Sequence, residues 1–275
     1  MSAGEQRVSR TNPKVFEPIT VPKPNNLRRN LIILGVTALV LGSGWFAGFS
    51  IPQIIRNLQR GGRLLGRMFL EPDWSFTPRM INPLIETIRM AIVGTFWGAL
   101  TALPIAVIAA ENFLKKPWIS KPLRFVLNIF RTIPAMVLAS LFVAIFGIGP
   151  YSGVMALSVF TFGLISKLTF ESIEAIDYGQ VEALMSLGAN KLNILRYAIL
   201  PQILPQFMSY TLYGFEVNVR AAAVLGYVGA GGIGQTFEQA LAFRRFDRVG
   251  VIIIISFFVV LAIDLVSSSI RKRLV

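Results

Sequence analysis

The chain has 275 residues, of which 54% are hydrophobic and 15% are charged, and its formal net charge is +13. Since soluble globular chains carry about 25% charged residues, this deficit predicts an all-α protein that crosses a membrane several times. Cysteine and histidine are absent, which excludes disulfides, thiol nucleophiles, histidine acid–base chemistry and zinc sites of the Cys/His type. The basic residues lie in short clusters between apolar runs, a distribution typical of membrane topology rather than of nucleic-acid binding.

We predict a polytopic bundle of about six transmembrane helices, because about 20 apolar residues in a helix cross the ~30 Å hydrocarbon core. Their approximate bounds are 31–49, 84–110, 123–146, 153–170, 204–225 and 249–270. Pro104 and Pro134 are expected to kink the second and third spans. The predicted organisation is an N-terminal tail (1–30), a first transmembrane helix (31–50), an external or interfacial amphipathic segment (51–80) and a core domain (81–275).

Both ends of the predicted bundle are basic. Arg28 and Arg29 precede the first span, and Arg271, Lys272 and Arg273 follow the last. The positive-inside rule therefore predicts that both termini are cytoplasmic, which agrees with an even number of spans. Residues 1–25 contain no apolar run, so we do not expect a cleavable signal peptide.

The segment 51–80 departs from this rule, because it is predicted to be external and yet carries several arginines. Four of them recur at helical spacing: Arg56, Arg60, Arg63 and Arg67. Apolar residues occupy another face, which predicts an amphipathic helix lying in the membrane interface with lipid as its partner. A linker broken at Gly61–Gly62 is the alternative interpretation.

The polar segment from Glu171 to Pro205 lies between two spans and keeps helical periodicity. One side of its first part is apolar and is expected to pack inward: Ile173, Ile176, Val181, Leu184 and Leu187. Gly188 is expected to end this helix, and a second short helix is expected to end at Pro201. Such an element either transmits the motion of a cytoplasmic partner or merely connects two spans.

Several residues of this segment resemble the cytoplasmic EAA motif of ABC importer permeases. These are Glu182, Ala183, Leu184, Gly188, Ala189, Leu200 and Pro201. Two positions depart from the motif, since Leu184 replaces an alanine and Ala198 replaces an isoleucine. The resemblance implies a type I ABC importer permease fold, with a coupling helix at about 178–201 that docks into an ATPase subunit.

Further stretches are similar to the phosphonate branch of that family: Arg131–Pro134, Phe146–Val154, Gly188–Lys191 and Ser209–Gly234. The similarity implies a bacterial inner-membrane permease for phosphonates or related oxyanions such as phosphite, working as a homodimer. Its implied partners are two cytoplasmic ATPase subunits and an external solute-binding protein. ATP and Mg²⁺ would bind the ATPase, and we expect no cofactor, metal or catalytic residue in this chain, which lacks a phosphate-binding loop motif.

Ionisable residues inside spans are functional candidates because their burial in a membrane is costly. Glu216 and Arg220 are spaced i,i+4 and predict an ion pair, with Asn218 between them. The group either faces the pore and attracts an anion or locks the bundle together. Asp264 has no evident partner in the sequence.

A glycine-rich stretch follows, and Gly229, Gly231 and Gly232 are candidates for the pore or gate. Glycines here form either a hinge or close-packed corner, or a backbone cradle for phosphate. Glu86 and Arg89 are spaced i,i+3 and predict a local pair. Lys167 and Glu171, at the inner end of the fourth span, are interpreted as marking the membrane interface. An ion-coupled secondary transporter and a membrane-embedded enzyme are the competing functions, but no internal repeat and no nucleophile–base pair is evident.

Overall fold

The structure, a computed structural model, describes residues 26–48 and 50–274, and the regular elements in these ranges are helical. The first 25 residues of the predicted tail lie outside the described residues. Two compact units divide at Gln59 and Arg60. The first contains α1 (Asn26–Phe46), which has no buried residue, and the beginning of α2 (Ile51–Phe69).

Helix α2 is amphipathic, as its sequence predicts, and runs through Gly61 and Gly62 without a break. The alternative of a linker broken at these glycines is therefore wrong. The side chains of Arg56, Arg60 and Arg63 are exposed.

The second unit is a bundle whose long helices run between two ends. Its elements are α3 (Thr77–Ala109), α4 (Glu111–Leu114), α5 (Pro117–Thr132), α6 (Ala135–Phe146), α7 (Pro150–Glu174), α8 (Gly179–Ser186), α9 (Lys191–Ile194), α10 (Leu200–Leu225), α11 (Gly232–Ala242) and α12 (Phe246–Leu274). We call the end formed by residues 110–117 and 175–199 the α8 end. The end formed by residues 147–149 and 226–245 is the α11 end.

Helices α3, α7 and α10 form the centre of this bundle. Gly94 and Gly98 let α3 approach α7 closely, since a side chain at either position would collide with Leu157 or Thr161. Small residues at a helix contact allow backbones to approach, which is how helices pack in membranes where no hydrophobic force drives them together. Within this bundle two polar residues of α10, Glu216 and Asn218, are buried.

Four helices of the described residues are long and apolar enough to cross a membrane: Asn26–Phe46, Trp74–Ala109, Pro150–Glu174 and Phe246–Leu274. A fifth span arises if the bent pair α5 and α6 counts as one. The remaining predicted span, α10, has 26 residues and carries Glu216 and Arg220, and it does not reach the same apolarity.

The third predicted span is broken rather than kinked. Helices α5 and α6 meet at an angle of 89°, and Pro134 stands before the first residue of α6 instead of inside a helix. The physical reason is local, because the residue before a proline avoids the helical region. Ile133 accordingly has extended backbone, with φ −79° and ψ 120°.

Pro201 begins a helix instead of ending one, so the prediction of a helix stopped there is wrong. Residues Leu195–Ile199 form a π-helical turn after α9, and α10 starts at Leu200 with Pro201 in its first turn. Proline is tolerated in the first turn of an α-helix, and here a π-helical turn precedes it. The α8 end is thus joined to α10 by continuous helical backbone.

Candidate functional site

The predicted coupling residues are divided between two helices: the first five lie on α8 and the turn after it, and Leu200 and Pro201 begin α10. Glu182 and Ala183 are exposed on α8, and Leu184 and Ala189 are partly buried. Gly188 makes the turn with φ +77°, a conformation that glycine adopts without strain. The element therefore turns one surface toward solvent and another toward the bundle.

The inward surface of α8 is anchored in the largest apolar cluster of the described residues. Val181 is 4% exposed and packs with Ile173, Ile194 and Ile199, all of them buried. Leu187 is 82% exposed, so the prediction that it packs with this group is wrong. Leu187 follows Val181 by six residues, which at about 100° per residue places it about 240° around the helix, on another face.

The outward surface of the α8 end carries apolar side chains that nothing in the described chain covers. Leu187 and Leu192 are 82% and 73% exposed, and Met185 is 45% exposed. They lie beside the exposed Glu182. Exposed apolar groups clustered on a short helix are typical of a docking surface.

Polar side chains fix the two ends of this element. Asn190 caps α9, because its Oδ1 accepts a hydrogen bond of 2.8 Å from the backbone N–H of Asn193. The side chain of Gln202 donates to the carbonyl oxygen of Ala198 at 2.9 Å and accepts from the backbone N–H of Asp177 at 3.1 Å. The start of α10 is thus tied to the start of α8.

Arg124 joins three elements at the α8 end, a role that spacing in the sequence does not reveal. Its Nε donates to the carbonyl oxygen of Ala109 at 2.8 Å, and its guanidinium pairs with Glu174 and lies 3.5 Å from Glu111. Its guanidinium also lies over the Phe170 ring, 4.8 Å from the centroid. Arg124 therefore fastens α5 to the ends of α3 and α7, directly before α8.

The predicted pair of Glu216 and Arg220 is confirmed at 2.5 Å. It is half of a larger network, since Arg220 also pairs with Asp264 at 3.2 Å and Glu216 with Arg271 at 3.0 Å. The expectation that Asp264 has no partner is wrong. These contacts cross from α10 to α12, and helical spacing reveals only pairs within one helix.

Asn218 is fully buried between α3, α7 and α10. Its Nδ2 donates to Thr95 Oγ1 at 2.8 Å and to Thr161 Oγ1 at 2.6 Å. Within the described chain it has no exposed surface, so its contacts are those of a bond between helices. Its role in a pore stays a prediction.

The glycine-rich stretch forms a tight corner before α11. Gly229, Gly231 and Gly232 have φ of +84°, +83° and +70°. The N–H of Gly232 donates to Glu86 Oε1 at 2.9 Å, and the N–H of Ile233 donates to Thr87 Oγ1 at 2.8 Å. Because these amides already have partners, the geometry favours the packed corner over a phosphate cradle.

The two weaker pairs have different outcomes. Lys167 and Glu171, which the sequence indicated as markers of the membrane interface, pair at 2.5 Å. Glu86 turns to Gly232 instead of Arg89, and within the described ranges Arg89 makes no ion pair. The spacing of residues within one helix cannot reveal a contact with the backbone N–H of Gly232, 146 residues away. The sequence therefore suggested Arg89, the neighbouring arginine.

Solved structures of ABC transporters share this fold. The chain superposes on the MetNI methionine ABC transporter with a TM-score of 0.65 and 22% identity, covering 74% of this chain and 99% of that chain. An amino acid ABC transporter determined with histidines matches with a TM-score of 0.61 and 25% identity, covering 72% and 95%. The fold is that of type I ABC importer permeases.

Sequence comparison then gives the family. Residues 102–275 match the family described as binding-protein-dependent transport system inner membrane component, and the chain belongs to it. The phosphite transport system permease protein PtxC of Stutzerimonas stutzeri is 34% identical over 245 residues, 87% of this chain and 89% of that protein.

Two further relatives support the same assignment. The phosphate-import permease protein PhnE of Mycolicibacterium smegmatis is 37% identical over 69% of this chain and 36% of that protein. The putative cryptic phosphonate transport system permease protein PhnE2 of Escherichia coli is 42% identical over 44% of this chain and 99% of that protein.

Proposed function

We propose that this permease subunit serves an ATP-driven importer of phosphite, phosphonate or a related small phosphorus oxyanion. The observation that carries the proposal is the 34% identity to a phosphite permease over 87% of the chain. The relatives named for phosphate and phosphonate support the same chemical class. These anions share a tetrahedral phosphorus with several acceptor oxygens.

We infer that the outward surface of the α8 end docks into a cytoplasmic ATPase subunit. Support comes from the exposed Leu187 and Leu192 beside Glu182, and from Val181, which anchors α8 in the apolar core. The Arg124 contacts fasten α5 to the ends of α3 and α7, directly before α8. Rigid attachment allows a partner's motion to reach the spans. ATP and Mg²⁺ belong to the ATPase in this proposal, and this chain carries no cofactor and no catalytic residue.

We further propose a homodimer that forms the pore and receives its substrate from an external solute-binding protein. The termini are cytoplasmic in this arrangement, which agrees with the basic residues Arg271, Lys272 and Arg273 at the end of α12. Helix α2 lies in the external interface with its arginines toward lipid phosphates. Its exposed arginines and its amphipathic sequence support that placement.

The substrate class is tested with the complete complex in proteoliposomes, supplied with its solute-binding protein and internal ATP. We expect uptake of phosphite or methylphosphonate that requires both ATP and the ATPase subunits. Amino acids and sugars serve as comparison substrates. Uptake of one of these without any phosphorus oxyanion would refute the substrate class, and uptake that persists without ATP but collapses with an uncoupler would favour a secondary transporter.

A further inference from the structure

Arg131 occupies an unusual position, at the point where a membrane span is broken. It is the next-to-last residue of α5, and the chain turns by 89° between α5 and α6. The neighbouring Phe130 packs edge to face against Phe162 of α7, with ring centroids 5.9 Å apart. The end of α5 is thus held against α7, and the position of Arg131 is fixed by packing.

The depth of Arg131 follows from its neighbour on α7. A side chain at Gly163 would come within 3.1 Å of the backbone nitrogen of Arg131. Gly163 lies at the middle of α7, which runs from Pro150 to Glu174. Since a 25-residue helix is about 37 Å long and the hydrocarbon core about 30 Å thick, Arg131 lies close to the middle of the membrane.

At this depth the guanidinium is exposed and carries an uncompensated charge. Arg131 is exposed in the structure, and within residues 26–48 and 50–274 it makes no ion pair with a carboxylate. Two other cations of the spans differ, because Lys167 pairs with Glu171 and Arg220 pairs with Glu216. An arginine at the centre of a bilayer costs about 3 kcal/mol or more when it faces lipid.

The guanidinium of Arg131 cannot reach the lipid headgroups. They lie about 15 Å from the membrane centre, which is farther than a single side chain reaches. An exposed, unpaired arginine at this depth is therefore stable on a water-filled path, beside an anion or against polar groups of a partner subunit, and not against lipid. Its planar group of N–H donors matches the oxygens of a phosphoryl anion.

We propose that Arg131 lines the translocation path and contacts the phosphorus oxyanion as it passes the break between α5 and α6. The inference rests on the proposed function. It assigns attraction of the anion to a residue other than Arg220, whose charge is already shared with Glu216 and Asp264. Because Arg131 has no carboxylate partner among the described residues, its positive charge is available to attract the oxyanion. Contact through a single side chain allows the oxyanion to dissociate rapidly.

The absence of cysteine from the chain permits a direct test with Arg131→Cys in the complete, reconstituted complex. We expect phosphite uptake to fall at least about 10-fold, equivalent to about 1.4 kcal/mol. Aminoethyl methanethiosulfonate, which restores a positive charge at the thiol, should return uptake to within about 3-fold of the unsubstituted complex. The sulfonatoethyl reagent, which adds a negative charge, should not. Reaction at the thiol is read from the intact mass of this chain.

Two controls show whether the reagents modify a thiol because it can be reached from water. Phe125→Cys places a thiol on α5 at a side chain that is 67% exposed and apolar, and we expect neither hydrophilic reagent to modify it from water. The unsubstituted complex, treated in the same way, reports effects on cysteines of the partner subunits. The ATPase activity stimulated by the solute-binding protein is measured alongside uptake.

Three results would overturn the assignment of Arg131. These are uptake by Arg131→Cys at the original rate, a thiol that neither reagent reaches with or without ATP, and a loss that both reagents leave unchanged. If Arg131→Cys does not assemble with the ATPase, Arg131→Lys must carry phosphite and Arg131→Gln must not, and equal rates refute the proposal. If the unsubstituted complex carries no phosphorus oxyanion, the proposed function fails separately, and thiol labelling still decides whether Arg131 faces water.

Discussion

The carboxylate of Glu86 accepts a hydrogen bond of 2.9 Å from the backbone N–H of Gly232, across 146 residues of sequence. The contact joins α3 to the first residue of α11. Thr87, the next residue of α3, accepts a second one from Ile233. Two successive amides at the start of α11 are thereby held by two successive side chains, which makes the α11 end a fixed corner.

Replacing Glu86 should loosen this corner. In Glu86→Ala the Gly232 N–H loses its acceptor, and we expect a cost of about 1–3 kcal/mol in stability. Glu86→Gln keeps an acceptor oxygen and should cost less. Thermal unfolding in detergent measures both, and equal melting temperatures for Glu86→Ala and the original protein would contradict the contact.

Gly188→Ala tests the turn between α8 and α9. The φ of +77° should cost an alanine about 1–2 kcal/mol, and the distorted turn should lower the ATPase activity stimulated by the solute-binding protein. Gly62→Ala is a matched control, since nothing lies within 4 Å of either added methyl group and Gly62 is inside a helix. If both substitutions behave alike, the geometry of the turn has no role in coupling.

Asn218→Ala distinguishes a bond between helices from a pore-lining role. Loss of two buried hydrogen bonds, to Thr95 and Thr161, should destabilise the protein by about 1–3 kcal/mol. Ser140→Ala removes an exposed hydroxyl that donates only within its own helix, and it should change the melting temperature little. A pore role would instead appear as altered substrate selectivity with unchanged stability.

Arg124→Lys keeps the charge but cannot serve three partners at once. We expect uptake per ATP hydrolysed to fall, because Ala109 and Glu174 lose the contacts that fasten the ends of α3 and α7 to α5, directly before α8. Lys121→Ala is the control, since it changes an exposed cation on the same helix. Equal uptake per ATP in Arg124→Lys and the original complex would remove Arg124 from the coupling route.

The sequence by itself determined what depends on composition and on spacing within one helix. Its low charge and long apolar runs predicted a helical membrane protein, and the i,i+4 rule predicted the pair of Glu216 with Arg220. The row of arginines and apolar residues in 51–69 predicted α2. Each of these features is local, because the period of the helix alone brings the residues together.

Only the tertiary structure decided which helices meet and which charges remain without a partner. Asp264 and Arg271 pair with residues of α10 because α12 packs beside it. Glu86 accepts a hydrogen bond from the backbone of a turn 146 residues away and does not pair with Arg89. The packing of α5 against the middle of α7 places the break at Pro134 near the centre of the membrane, which the sequence around Pro134 does not reveal. Partners on different helices have no fixed separation in sequence, so packing alone reveals them.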